Sequence, residues 1–202
     1  MRRFLCLLCL WMAAPFAHAA DPVILVMGDS LSAAHNIPAE QGWVSLLSQR
    51  LATEAPDWKV VNASVSGATS ANGKAALPAL LEEHRPEILV LELGANDGLR
   101  GQPLAALEGN LADMIEEART AGAEVLLIGI ELPVNYGPRY RDGLRQVYAG
   151  LAQRYQTGLV PFLLEGVALD PALMQSDGLH PVAAAQPQVL ENVWPALREL
   201  LP

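Results

Sequence analysis

Basic residues, charge in general and cysteine are all scarce in this 202-residue chain, and each shortage closes off a class of function. Thirteen Lys and Arg face 22 Asp and Glu, a formal net charge of −9, and no basic run interrupts the pattern. Binding a phosphate backbone depends on Lys and Arg releasing condensed counterions, so nucleic acid is not an expected partner. The acidity also disfavours tight docking on anionic membrane surfaces. Charged residues make up 17% of the chain against 51% hydrophobic, which excludes a disordered tail or a solvated coiled coil. The two cysteines, Cys6 and Cys9, stand close to the N-terminus, so neither a disulfide framework nor a thiol nucleophile is available beyond them. The apolar run from Phe4 to Phe16 covers about 13 residues where a membrane span needs roughly 20, so no stable insertion is expected.

That run has the anatomy of an export signal. Met1-Arg2-Arg3 supplies a positive start, the apolar stretch is broken only by Pro15, and Ala17-His18-Ala19 has the small-x-small form of a signal-peptidase site. Lipid attachment at Cys9 is disfavoured, because Leu8 stands where a small residue is required. The expected organisation is a signal peptide over residues 1–19 and one domain over 20–202, exported to the periplasm or the medium. Cleavage after Ala19 removes both cysteines with Arg2, Arg3 and His18, leaving 11 basic against 22 acidic residues, a net charge of −11. Three histidines then remain, His35, His84 and His180.

From Asp21 onward two periodicities alternate. Short runs rich in Val, Ile and Leu occur at Val23–Met27, around Val60-Val61, at Ile88–Leu93 and at Val125–Ile130, and a fifth strand is expected over Gly158–Phe162. Between them lie stretches with helical spacing, such as Trp43, Leu46, Leu47 and Leu51, or Leu104, Leu107, Leu111, Ile115 and Ala118. Further helices are expected over Arg139–Tyr155 and Val182–Leu200. Strands that are continuously apolar are buried on both faces, which predicts a three-layer α/β/α sandwich around a five-stranded parallel sheet. The favoured strand order is 2-1-3-4-5. No repeat, low-complexity segment or long linker divides the chain.

In open sheets of this kind ligands bind beyond the carboxyl ends of the strands. After the first strand comes Gly28-Asp29-Ser30-Leu31, after the second Asn62-Ala63-Ser64-Val65-Ser66-Gly67, and after the third Gly94-Ala95-Asn96-Asp97. Leu132–Pro138 follows the fourth, and beyond the fifth the chain reaches Asp177-Gly178-Leu179-His180. Nucleophilic acyl transfer needs a hydroxyl, a base, a carboxylate to orient the base, and donors for an oxyanion. Ser30, entering a helix whose positive end favours negative charge, His180 and Asp177 are candidates for the first three. The backbone N–H groups of Ser30 and Gly67 and the side-chain amide of Asn96 are candidates for the fourth. Each block alone reads as an ordinary turn; their joint placement after strand ends is what makes chance improbable.

Gly28-Asp29-Ser30-Leu31, Gly67, Gly94-Ala95-Asn96-Asp97 and Asp177-Gly178-Leu179-His180 resemble the four signature blocks of the GDSL, or SGNH, hydrolase superfamily. The sequence is similar, more narrowly, to secreted bacterial multifunctional esterases of the thioesterase I, arylesterase and lysophospholipase type, through Gln41-Gly42-Trp43, Asn96–Arg100 and Asn135–Tyr140 among others. The resemblance implies a flavodoxin-like fold, Ser30 as nucleophile, His180 as base and then acid, Asp177 as its partner, and Ser30, Gly67 and Asn96 as the oxyanion hole. It also implies acyl esters and thioesters as substrates, with no metal and no cofactor. The chain departs from the pattern at Ala68, where relatives often carry an acid. A Gly-x-Ser-x-Gly elbow is absent.

Val134, Asn135 and Tyr136 are expected to wall the acyl side of the site. The remaining singled-out residues have plainer readings: His35 as a loop or rim residue, His84 as a cation near a helix C-terminus, Asp29 and Asp97 as carboxylates bonded to loop backbone. Glu92 and Glu131 read as partnered structural carboxylates, and Trp43 and Trp194 as core. The competing functions are a carbohydrate O-acetyl esterase, which the same blocks serve, a periplasmic solute-binding module, and a nucleotide protein, for which no Gly-x-Gly-x-x-G or P-loop follows a strand. A monomer is expected.

Overall fold

The computed structural model describes residues 21–202; the expected signal peptide over residues 1–19 lies outside them. Five strands, β1 (Val23–Gly28), β2 (Lys59–Asn62), β3 (Ile88–Glu92), β4 (Glu124–Ile128) and β5 (Gly158–Val160), form one sheet in the order β2-β1-β3-β4-β5. All pairings are parallel, with Gly28 opposite Glu92 at the carboxyl end of β1. This is the expected topology.

The continuous apolar runs follow from burial on both faces. Leu25 and Met27 of β1, Leu89 and Leu91 of β3, and Val125 and Leu127 of β4 point into one core. Helices α2 (Ser70–His84), α4 (Leu104–Thr120) and α5 (Pro138–Tyr155) cover it. The alternate residues Ile24, Val26, Ile88, Val90, Leu126 and Ile128 point into a second core under α1 (Trp43–Glu54) and α6 (Gln186–Arg198). Successive side chains of a strand face opposite ways, so two layers of helices keep the middle of β1, β3 and β4 apolar and leave polar residues such as Glu92 and Glu124 at strand ends. None of the helices among the described residues is long and apolar enough to cross a membrane.

Several boundaries differ from expectation. The helix expected to open at Ser30 is a series of turns, in which Ala33 N–H donates to Asp29 O and His35 N–H to Ser30 O. Ala34 and Asn36 then take left-handed φ values of 55° and 56°, which end any helix there, so no helix dipole acts on Ser30. β5 stops before Pro161, and the last helix begins only at Gln186, after a 3-10 turn over Ala183–Ala185. A short helix, α3 (Ala95–Leu99), follows β3 directly and carries Asn96 and Asp97.

Candidate active site

The carboxyl edge of the sheet gathers Ser30 from the end of β1 and His180 from far along the chain. His180 sits on a tight hairpin closed by the Met174–Pro181 bridge and by Gln175 N–H donating to His180 O, with Gly178 at φ +66° turning the chain. Ser30 Oγ lies 2.9 Å from His180 Nε2, and His180 Nδ1 lies 2.7 Å from Asp177 Oδ2. Asp177 Oδ1 accepts from the N–H groups of Leu179 and His180 at 2.9 and 3.1 Å. Partial burial pushes the Asp177 carboxyl up. The Leu179 N–H, the His180 ring and N–H, and the His180 charge outweigh that and hold it at about 2. An ionised carboxylate only accepts, so Nδ1 carries the proton toward Asp177 and Nε2 is free to accept from the Ser30 hydroxyl.

Ser30 and Asn96 are linked through Asp29. Its Oδ1 accepts from Leu31 N–H and its Oδ2 from Asn96 Nδ2, both at 3.1 Å, so one carboxylate shapes the Ser30 turn and orients the amide. Gly67 is held through its carbonyl, which accepts from Arg100 at 3.1 Å. Its φ of +81° is what requires glycine, since a Cβ would meet only open space. Among the described residues, neither the Ser30 nor the Gly67 N–H donates to a protein acceptor. Two free N–H groups and an oriented amide can receive a developing negative charge.

Beneath this turn lie two carboxyls with no exposure, Asp29 and Glu92. Glu92 Oε2 accepts from Asp29 N–H at 3.2 Å and Ser32 Oγ at 2.8 Å, while Oε1 has no partner among the described residues. Burial, and then the Asp29 charge, push Glu92 well above the usual carboxylate range. Burial also raises Asp29, to about 6, against the Leu31 and Asn96 hydrogen bonds and the His180 charge. Each carboxyl receives two hydrogen bonds, but Asp29 also feels the His180 charge whereas Glu92 feels the Asp29 charge, so Glu92 is the carboxyl that keeps its proton. Gly28 has to be glycine here, because a Cβ would come within 2.6 Å of Glu92 Oε2.

Beside the hairpin opens a cleft of about 490 Å³ lined by Leu132, Pro133, Val134, Leu164, Met174 and Leu179, among others. Val134 stands at its mouth, 77% exposed. Of the three residues expected to wall the acyl side, Val134 lines this cleft and Asn135 and Tyr136 do not. Tyr136 turns the other way, donating its hydroxyl to Leu99 O at 2.9 Å and lining a separate recess with Leu104 and Tyr140. On the Gly67 side lies a second cavity of about 380 Å³ that includes Met27, Val65, Ala68 and Leu93.

Asp97 does bond backbone, accepting from Ser70 N–H at 2.8 Å, and also from the Ser70 hydroxyl at 2.6 Å; this ties α3 to the start of α2. Glu131 pairs with Arg141 and Arg145. His84 ends α2, as the helix-end reading requires. Trp43 is buried, whereas Trp194 is only partly so and lies under the Arg50 guanidinium. His35 is closer to the centre than a rim residue: its ring centroid is 4.4 Å from that of His180, at an interplanar angle of 39°. Sequence reasoning missed Gln175, whose Nε2 donates to His35 O at 2.9 Å and to Pro181 O at 3.0 Å and so fastens the Ser30 loop to the histidine hairpin. No sequence signal marks it.

Residues 26–186 match the model of the GDSL-like lipase/acylhydrolase family. The chain is 54% identical to the esterase TesA of Pseudomonas aeruginosa over 201 residues, covering 100% of both. It is 42% identical to thioesterase 1/protease 1/lysophospholipase L1 of Escherichia coli K12 over 186 residues, 92% of this chain and 88% of that one. A crystal structure of TesA superimposes with a TM-score of 0.87 at 57% identity, covering 89% of this chain and 99% of that chain. With its sheet order, its four blocks and these matches, the chain belongs to the GDSL-like lipase/acylhydrolase family.

Proposed function

We propose that the chain is a serine esterase that hydrolyses acyl esters and thioesters of small amphiphiles through an acyl-enzyme. The observation that carries this reading is the unbroken relay from Ser30 Oγ to His180 Nε2, 2.9 Å, and from Nδ1 to Asp177, 2.7 Å. His180 takes the hydroxyl proton as Ser30 Oγ bonds to the carbonyl carbon, and the carbonyl π electrons move onto oxygen. The N–H groups of Ser30 and Gly67 and the Asn96 amide stabilise that oxyanion. Collapse expels the alcohol or thiol, which leaves with the proton from His180. Water then attacks the acyl-enzyme by the same route, returning Ser30 and a carboxylic acid. No step draws on a metal or cofactor.

The 490 Å³ cleft beside Leu179 offers Leu132, Val134, Phe162, Leu164 and Met174 to an alkyl acyl group, with the charged side chains of Glu131, Arg141, Arg145 and Glu165 also in its lining. The names of the relatives, an esterase and a thioesterase/lysophospholipase, support the same substrate class. The reading includes export after cleavage at Ala19, into the periplasm or the medium, and action as a monomer. A fluorophosphonate probe tests the chemistry: the folded protein should be labelled at Ser30 with one adduct per chain, and Ser30→Ala should not. Absence of labelling together with absence of esterase activity would overturn it and favour a binding module, whereas unchanged esterase activity in Ser30→Ala would overturn Ser30 as the nucleophile.

A further inference from the structure

The His180 ring has its two nitrogens engaged, Nδ1 by Asp177 and Nε2 by Ser30, so anything further acting on it must do so through its faces. The His35 ring lies there, centroids 4.4 Å apart and 39° from parallel. Its position is built. His35 N–H donates to Ser30 O at 3.3 Å, and His35 O accepts from Gln175 Nε2, which also donates to Pro181 O beside His180. The neighbours Ala34 and Asn36 are both left-handed, a conformation that Asn tolerates but that Ala holds only where the surroundings impose it. The loop is therefore pinned to the nucleophile on one side and to the histidine hairpin on the other.

We propose that His35 is a positioning residue: packed at a tilt against the His180 ring, it holds the base toward Ser30, and a positive charge on it opposes the imidazolium that forms there. The inference rests on His180 being the general base. A neutral ring packed on the imidazole limits its rotation and tolerates the imidazolium that forms during proton transfer, whereas a second imidazolium at this separation repels it. A positive charge on His35 therefore opposes the imidazolium that must form on His180, and the step starts from both rings neutral. The other ionisable groups facing the pair are Asp177, which holds Nδ1, and Asp29, whose carboxylate feels the His180 charge from the Ser30 turn. Both persist when His35 is replaced, so a difference between variants belongs to His35.

The test is the pH dependence of kcat/KM for a p-nitrophenyl ester, between about pH 5 and 8.5, in wild type, His35→Phe, His35→Ala and His180→Ala. The wild-type acid limb should fall more steeply than that of His35→Phe, which keeps a ring but carries no proton. On the alkaline plateau His35→Ala should lose about tenfold in kcat with little change in KM, and His35→Phe should recover most of that loss. If phenylalanine prevents folding, His35→Asn, also unable to titrate in this range, should show the same shallower limb. Superimposable limbs in wild type and the folded His35 variant, or wild-type kcat in His35→Ala, would overturn the proposal. Wild-type activity in His180→Ala would instead overturn the general-base reading on which it rests.

Discussion

Replacing Glu92 by Gln should change how stability depends on pH, by an amount that follows from the burial of this carboxyl. Glu92 has no exposure, receives hydrogen bonds on Oε2 alone, and lies against Asp29. Burial and that neighbouring charge make the folded chain hold the proton above pH 4.5, where an unfolded glutamate has released it. The native state then binds more protons than the unfolded state, so stability declines as pH rises. The slope is about 1.4 kcal/mol per unit and continues until Glu92 itself ionises. The amide that replaces the carboxyl has the same shape, and its carbonyl can accept from Asp29 N–H and Ser32 Oγ without titrating. Other carboxylates do not imitate this difference. Asp29 shows the same sign between 3.8 and about 6 in both proteins. Asp177 acts below this range, its stabilisation being lost as pH falls from 3.8 toward 2. Urea unfolding followed by tryptophan fluorescence at several pH values above 4.5 reads the effect. Glu92→Gln should gain on wild type by about 1.4 kcal/mol for each unit of rising pH over that window. Parallel curves would mean that Glu92 is ionised in the fold, and would refute the reasoning.

Asp29→Asn should lower kcat by about ten- to a hundredfold with a smaller change in KM, because Asn96 loses the carboxylate that orients its amide; steady-state kinetics on a short ester checks it. Gly94→Ala should destabilise the fold by about 2–4 kcal/mol in a denaturant titration, because Gly94 has φ +128° and a Cβ would stand 2.2 Å from Tyr148 Oη. Tyr148→Phe alongside it should relieve part of that cost. Val134→Trp should narrow the cleft mouth and cut kcat/KM for long acyl esters by about tenfold relative to acetate, as one or two lost methylene contacts would. Asn135→Ala should leave that ratio unchanged, and a shift equal to that of Val134→Trp would contradict the cleft assignment.

The sheet was legible because both of its faces are covered: Ile88–Glu92 is buried at every position, so an unbroken apolar run could be read as a strand. The residues after each run could be placed on one edge because parallel strands share a direction. What stayed illegible depends on backbone sign and on distant contacts. Ala34 does not announce a left-handed turn, and Asn36 tolerates one without requiring it, so a helix after Ser30 was the natural expectation. Nothing near Tyr136 shows that its hydroxyl reaches Leu99 O. The tilted contact of His35 with His180 joins residues at opposite ends of the described chain, and Gln175, which fastens them, resembles any polar loop residue.

The central claim is that catalysis passes through an acyl group on Ser30. Rapid mixing with excess p-nitrophenyl ester, with acid quenching and mass mapping of the protein during turnover, tests it most directly. The account predicts the acyl adduct on Ser30 in wild type and no adduct at any residue in Ser30→Ala. Turnover with no covalent adduct on Ser30, undiminished in Ser30→Ala, would contradict it.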